Sequence, residues 1–172
     1  MVREQPTLSD DRPHAILGGL TNPLILVLAI AYTGVNLQLN TAAFWLPQIF
    51  RSLRLSNWEV AACTAIPFLT GAAAMYLWGK HLDQSGERIL HVVGAVVLSS
   101  LGWAGAALAT WVSLIVVSLS IAAIGFFSAT VVFWTLPPRL LRGESAAGGI
   151  ALISATGGLG SAVAAPIVGS PA

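Results

Sequence analysis

The sequence predicts an all-α polytopic membrane protein with five transmembrane helices, and three observations carry that prediction. Of 172 residues, 56% are hydrophobic and only 9% charged, against roughly 25% charged in an ordinary soluble domain. Mean hydropathy is +0.81. Asp, Glu, Lys, Arg and His are absent from residues 15–50, 60–79, 92–138 and 145–172. These runs are continuous, whereas barrel strands alternate over segments of about 10 residues. A helix satisfies its own backbone in lipid and needs about 20 apolar residues to cross.

The elements follow in order. A polar tail, residues 1–19, lacks the charged-then-apolar layout of a cleavable signal. The first span is expected at 20–46, the second at 58–78 and the third at 89–109. Thr110 and Trp111 alone then join it to a fourth span at 112–136. The paired Pro137 and Pro138 end that span, because proline removes a donor and clashes with the preceding turn. Pro47 and Pro67 are expected to kink their helices. The fifth span, 145–169, is the richest in small residues, which let helices approach closely. It is therefore expected to be the most buried, with residues 170–172 as a short external end.

Loop charge gives an orientation, since Lys and Arg concentrate on the cytoplasmic side. Five crossings put Arg3, Arg12, Lys80, Arg88, Arg139 and Arg142 on one side, and Arg51 and Arg54 on the other. The N-terminus is thus expected in the cytoplasm and the C-terminus outside, in a cytoplasmic (inner) membrane. Trp45, Trp58 and Trp111 would anchor the outer interface and Trp78 the inner one.

Between the second and third spans lies "GKHLDQSGER", residues 79–88, a short charged stretch between two apolar runs. Gly79, Asp83, Gly86 and Arg88 in this stretch resemble the loop signature of major facilitator superfamily transporters. "FWLPQIF" at 44–50, "LSNWEV" at 55–60, "AIPFL" at 65–69, "FWTLP" at 133–137 and "AAGGIALIS" at 146–154 occur in that order. The set resembles the anion:cation symporter branch, the tartrate and related organic-anion permeases, over about residues 22–169. The resemblance implies that the five spans correspond to helices seven to eleven of a twelve-helix fold. It implies a proton-coupled symporter of small carboxylates working by alternating access. The six-helix N-terminal half, lying in polypeptide outside this chain, would supply the titratable and cationic groups. Gly79, Asp83, Gly86 and Arg88 would then form a cytoplasmic gate loop, with Arg88 pairing with Asp83. Gln84 and Glu87 stand where the general signature has arginine.

No Asp, Glu, Lys or Arg lies in the five spans except Glu59 at an outer helix start, so this chain is expected to contribute uncharged hydrogen bonds and aromatic walls to any solute passage. Candidate cavity residues are Asn36, Gln38, Trp134, Ser154 and Thr156. An amide facing lipid is costly, so Asn36 and Gln38 either face a cavity or tie two helices together. Trp134 borders the cavity by resemblance, or simply packs. Ser154 and Thr156 either donate to a carboxylate or bond their own helix.

Other classes find little support. A net charge of +1 with no basic stripe excludes a nucleic-acid partner. The single Cys63 permits no internal disulfide and seeds no metal cluster, and no cofactor is implied. Neither His-Glu-x-x-His nor Gly-x-Ser-x-Gly occurs, so an enzyme is not expected. The remaining alternatives are a stand-alone membrane interaction or regulatory protein, or an inactive truncated product. The expected partners are the lipid bilayer, a small organic anion, a proton and the missing half.

Overall fold

The computed structural model describes residues 23–141 and 145–168, without the side chains of residues 145, 146, 161 and 163–168. The tail, the start of the first span, Arg142, Glu144 and the last four residues lie outside the described set. Among the described residues there are five long helices and one short one: α1 (Pro23–Ser52), α2 (Asn57–Ser85), α3 (Ile89–Leu108), α4 (Val112–Trp134), α5 (Pro137–Leu140) and α6 (Ser145–Val168). Four segments are long and apolar enough to cross a membrane: α1, α2, α3, and α4 continued through α5. A shorter apolar stretch, Ala147–Gly160, lies within α6.

Two helices outrun their expected spans. α1 continues to Ser52 with Pro47 inside it, and α2 continues to Ser85 with Pro67 inside it. The loss of apolar residues marks where lipid ends, not where helical hydrogen bonding ends. Lys80, His81 and Asp83 therefore sit on the last turns of α2. The remaining turn is only Gly86, Glu87 and Arg88. At the other end of α2, Ser56 and Glu59 form a capping box. The Ser56 N–H donates to Glu59 Oε2 at 2.8 Å, and the Glu59 N–H donates to Ser56 Oγ at 3.4 Å. This pairing satisfies two otherwise exposed donors and fixes the start of the helix. The α1–α2 turn before it holds Arg54 at φ 58°, a left-handed conformation that costs a non-glycine residue about 1 kcal/mol.

α4 is the hub. It packs on α3, α2 and α1, while α6 pairs mainly with α1. The expectation that the fifth span would be the most buried is corrected here. The buried residues of α4 run along its whole length, from Ile115 to Phe133. On α6 only Gly149, Ile153 and Gly157 are buried among the described side chains, and Ala151, Ser154, Ala155 and Gly158 are exposed. Small residues permit close approach but need a partner on each face, and α6 has α1 on one face only.

Glycine decides where α3 and α4 meet. A Cβ on Gly102 would strike the backbone of Ala122, and one on Gly125 would meet Ala95 O and Ser99 Cα at 2.6 Å. The two backbones are thus in direct contact, as close packing in lipid requires. Two apolar cores flank this contact. One joins Ala42, Leu46 and Phe50 of α1 to Ile115, Leu119 and Phe126 of α4. The other joins Ile25, Leu28 and Ala29 to Phe133, Leu141 and Ile153. Pro137 begins a new helical turn after a break at Thr135–Leu136, consistent with proline's tolerance at a first helical position.

Candidate functional site

The site grows from the face that α1 turns toward α6. Tyr32 and Asn36 lie one turn apart there. The Tyr32 ring occupies the space that a Cβ on Gly157 would need, with its Cε1 at 2.5 Å. The ring stacks on Phe133 with centroids 5.1 Å apart and meets Trp134 edge-on at 4.9 Å. Trp134 is also edge-on to Phe133, at 5.7 Å. One glycine on α6 thus admits a tyrosine from α1, which in turn sets the last aromatic pair of α4. Each such ring pair contributes about 0.5–1.5 kcal/mol beyond area burial.

Asn36 sits beside this cluster. Its Nδ2 lies 3.4 Å from the Cβ position of Gly157. Both its backbone oxygen and its Oδ1 accept from Asn40 Nδ2, at 3.0 and 2.6 Å. Of the five candidate cavity residues, the structure gathers Asn36 and Trp134 around Tyr32. Gln38 turns elsewhere: its Oε1 accepts a hydrogen bond from Ser99 Oγ of α3, tying two helices together. Ser154 Oγ donates to Ile150 O at 3.0 Å, and Thr156 Oγ1 donates to Leu152 O at 2.9 Å. Both hydroxyl protons are committed to the helix in this conformation, leaving oxygen lone pairs outward.

Two participants escaped sequence reasoning. Tyr32 is one of only two tyrosines and stands four residues before Asn36, so helical spacing could have flagged it. Gly157 carried no signal, because its role depends on which α6 glycine faces α1. The wall these residues form is uncharged. It can stack against a planar group and offer an amide, but it cannot neutralise an anion alone.

The proposed gate residues lie on the last turns of α2 and in the α2–α3 turn. Gly86 takes φ 67° at the C-cap of α2, and its N–H donates to Leu82 O at 2.9 Å. Any other residue is strained at this φ. Gly79 and Asp83 are helical, not in the loop. A Cβ on Gly79 would touch Val131 at 3.4 Å, and Asp83 lines an open groove of about 660 Å³ with Tyr76, Lys80 and Val131. Among the described residues, Arg88 bonds Thr135 rather than Asp83. Its Nε donates to Thr135 Oγ1 at 3.1 Å, and that hydroxyl donates to Val132 O at 2.7 Å. The guanidinium therefore sits against the C-terminus of α4, where unpaired carbonyls favour a cation.

Comparison with known proteins gives a consistent result. The sequence profile of the Major Facilitator Superfamily matches residues 3–165. A protein of Agrobacterium vitis named "Putative tartrate transporter" is 38% identical over 156 residues, 91% of this chain and 36% of that protein. A "Quinolone resistance transporter" of Acinetobacter baumannii is 31% identical over 93% of this chain and 37% of its own length. The "Inner membrane transport protein RhmT" of Escherichia coli is 32% identical over 84% of this chain and 34% of its own length. The chain spans about a third of the length of the curated relatives it matches. No solved structure matches.

Proposed function

We propose, from the premise that this chain belongs to the Major Facilitator Superfamily, that it forms the C-terminal wall of a secondary transporter for small organic anions. The family and the transporter names of its relatives mark a multi-pass membrane transporter and not an enzyme. The observation carrying the substrate class is the 38% identity, across 91% of the chain, to a relative named for tartrate.

In this reading Tyr32, Asn36 and Trp134 form an uncharged wall of the passage, with Ser154 and Thr156 beside it on α6. A carboxylate in a low-dielectric passage demands a cation, and the described spans supply none near this wall. The cation and the proton-titrating group therefore belong to the partner half. The chain lies in the inner membrane with its N-terminus cytoplasmic, supported by the six-to-two partition of Lys and Arg. Alternating access then rocks this bundle against its partner. Breaking the Arg88–Thr135 link at the α2–α3 turn accompanies one of the two states.

Uptake of labelled tartrate into proteoliposomes tests the reading, with this chain co-reconstituted with the N-terminal half of the Agrobacterium vitis relative. Saturable uptake driven by an inward proton gradient and abolished by a protonophore is expected. Absence of saturable uptake across a panel of hydroxy- and dicarboxylates would remove this substrate class.

A further inference from the structure

α2 and α3 are consecutive helices that pack against α4 rather than against each other. Near their shared turn, three rings span the gap between them. The His81 and His91 rings lie with centroids 5.2 Å apart and planes tilted 43°. Trp78 meets His91 edge-on at 6.1 Å. These rings line an open pocket of about 400 Å³ together with Leu90 and Gly94. Trp78 Nε1 and His91 Nδ1 are buried and have no hydrogen-bond partner. Nothing in the proposed passage uses this cluster, because Tyr32, Asn36 and Trp134 lie on the α1–α6 side of α4.

The geometry points to a transition-metal site that bridges α2 and α3, with His81 and His91 as its two imidazole ligands. Metal–nitrogen bonds of about 2.0–2.1 Å at a tetrahedral angle put two ring centres about 5 Å apart, which is the spacing these rings already have. No hydrogen bond fixes the His91 ring through Nδ1, so either nitrogen can present a lone pair. An unpaired buried ring nitrogen otherwise needs an explanation. Imidazole pairs suit Cu²⁺, Ni²⁺ and Zn²⁺ and not Mg²⁺ or Ca²⁺. Among the described residues no three potential ligands converge, so water fills the remaining positions. Such an open, two-ligand site binds reversibly. A bound ion staples α3 to α2 beside the turn that carries Arg88.

Titration of the full chain with Ni²⁺ tests the site, in phospholipid nanodiscs after purification through a tag without histidine. Binding is read calorimetrically, by quenching of tryptophan fluorescence and by unfolding temperature. One ion per chain is expected, with quenching lost in Trp78→Phe and a raised unfolding temperature. His81→Ala and His91→Ala should each weaken binding by roughly a hundredfold, the advantage of a tethered second ligand. The double variant, left with neither imidazole, should bind more weakly than either single. Substitution of each histidine by glutamine repeats the result if alanine disturbs the fold. His14→Ala, which removes the only other histidine, should change nothing. Unchanged affinity in either single variant, or a double variant that binds as tightly as either single, would overturn the bridging site. Equal affinity for Mg²⁺ would do the same.

Discussion

Replacing Gly157 by alanine is the sharpest probe of the aromatic wall. The new methyl would fall at 2.5 Å from Tyr32 Cε1, well inside contact distance. Tyr32 has little room to yield, since its ring is stacked on Phe133 and edge-on to Trp134. Overpacking of this kind costs about 1–3 kcal/mol. Alanine also gains about 1 kcal/mol of helix propensity over glycine, so the bare variant alone is ambiguous. Gly158 removes the ambiguity, because a Cβ there meets nothing within 4 Å. Gly158→Ala takes the propensity gain without the clash. Gly157→Ala should therefore be less stable than Gly158→Ala by about 1–3 kcal/mol, measured by reversible unfolding in lipid–detergent micelles. Tyr32→Phe keeps the same ring carbons and should not rescue it, whereas Tyr32→Ala should. Equal stability of the two glycine variants, or rescue by Tyr32→Phe, would refute the packing argument.

Two further links are open to direct tests. Gln38→Leu and Ser99→Ala should each destabilise the bundle by about 0.6 kcal/mol, the average for hydrogen bonds between membrane helices. A double-mutant cycle in the same unfolding assay should return their coupling. Arg88→Ala and Thr135→Val should have similar effects and fail to add, because they remove one bond. Cysteine cross-linking between the α2–α3 turn and α5 should speed up equally in both variants.

Much of the architecture was legible because burial in lipid imposes a uniform demand. Runs without charge fall within each long helix among the described residues, whereas the second span was expected to begin at residue 58 and the Ser56–Glu59 capping pattern before it was passed over. Helix ends were less legible: α2 carries Lys80 and Asp83 well past the apolar run, since helical hydrogen bonding does not stop where lipid stops. Neither could sequence say which glycines matter. Gly102 and Gly125 touch backbone, whereas Gly34 and Gly158 meet open space, and only packing distinguishes them. Arg88 posed a similar difficulty. Its nearby acid Asp83 suggested a local pair, yet its partner Thr135 stands 47 residues away. The cost of an amide in lipid pointed to Asn36 and the resemblance to Trp134, but their meeting through Tyr32 is a tertiary fact.

The wall of the passage can be tested by accessibility. With Cys63 replaced by serine, single cysteines are placed at Asn36 and Ser154, and at Leu101 on the exposed face of α3. Labelling by a small charged thiol reagent is then followed in the two-half transporter with and without tartrate. The account predicts that tartrate slows labelling at 36 and 154 and leaves 101 unchanged. Labelling at 36 and 154 that ignores tartrate, in a complex that still transports it, would contradict the account.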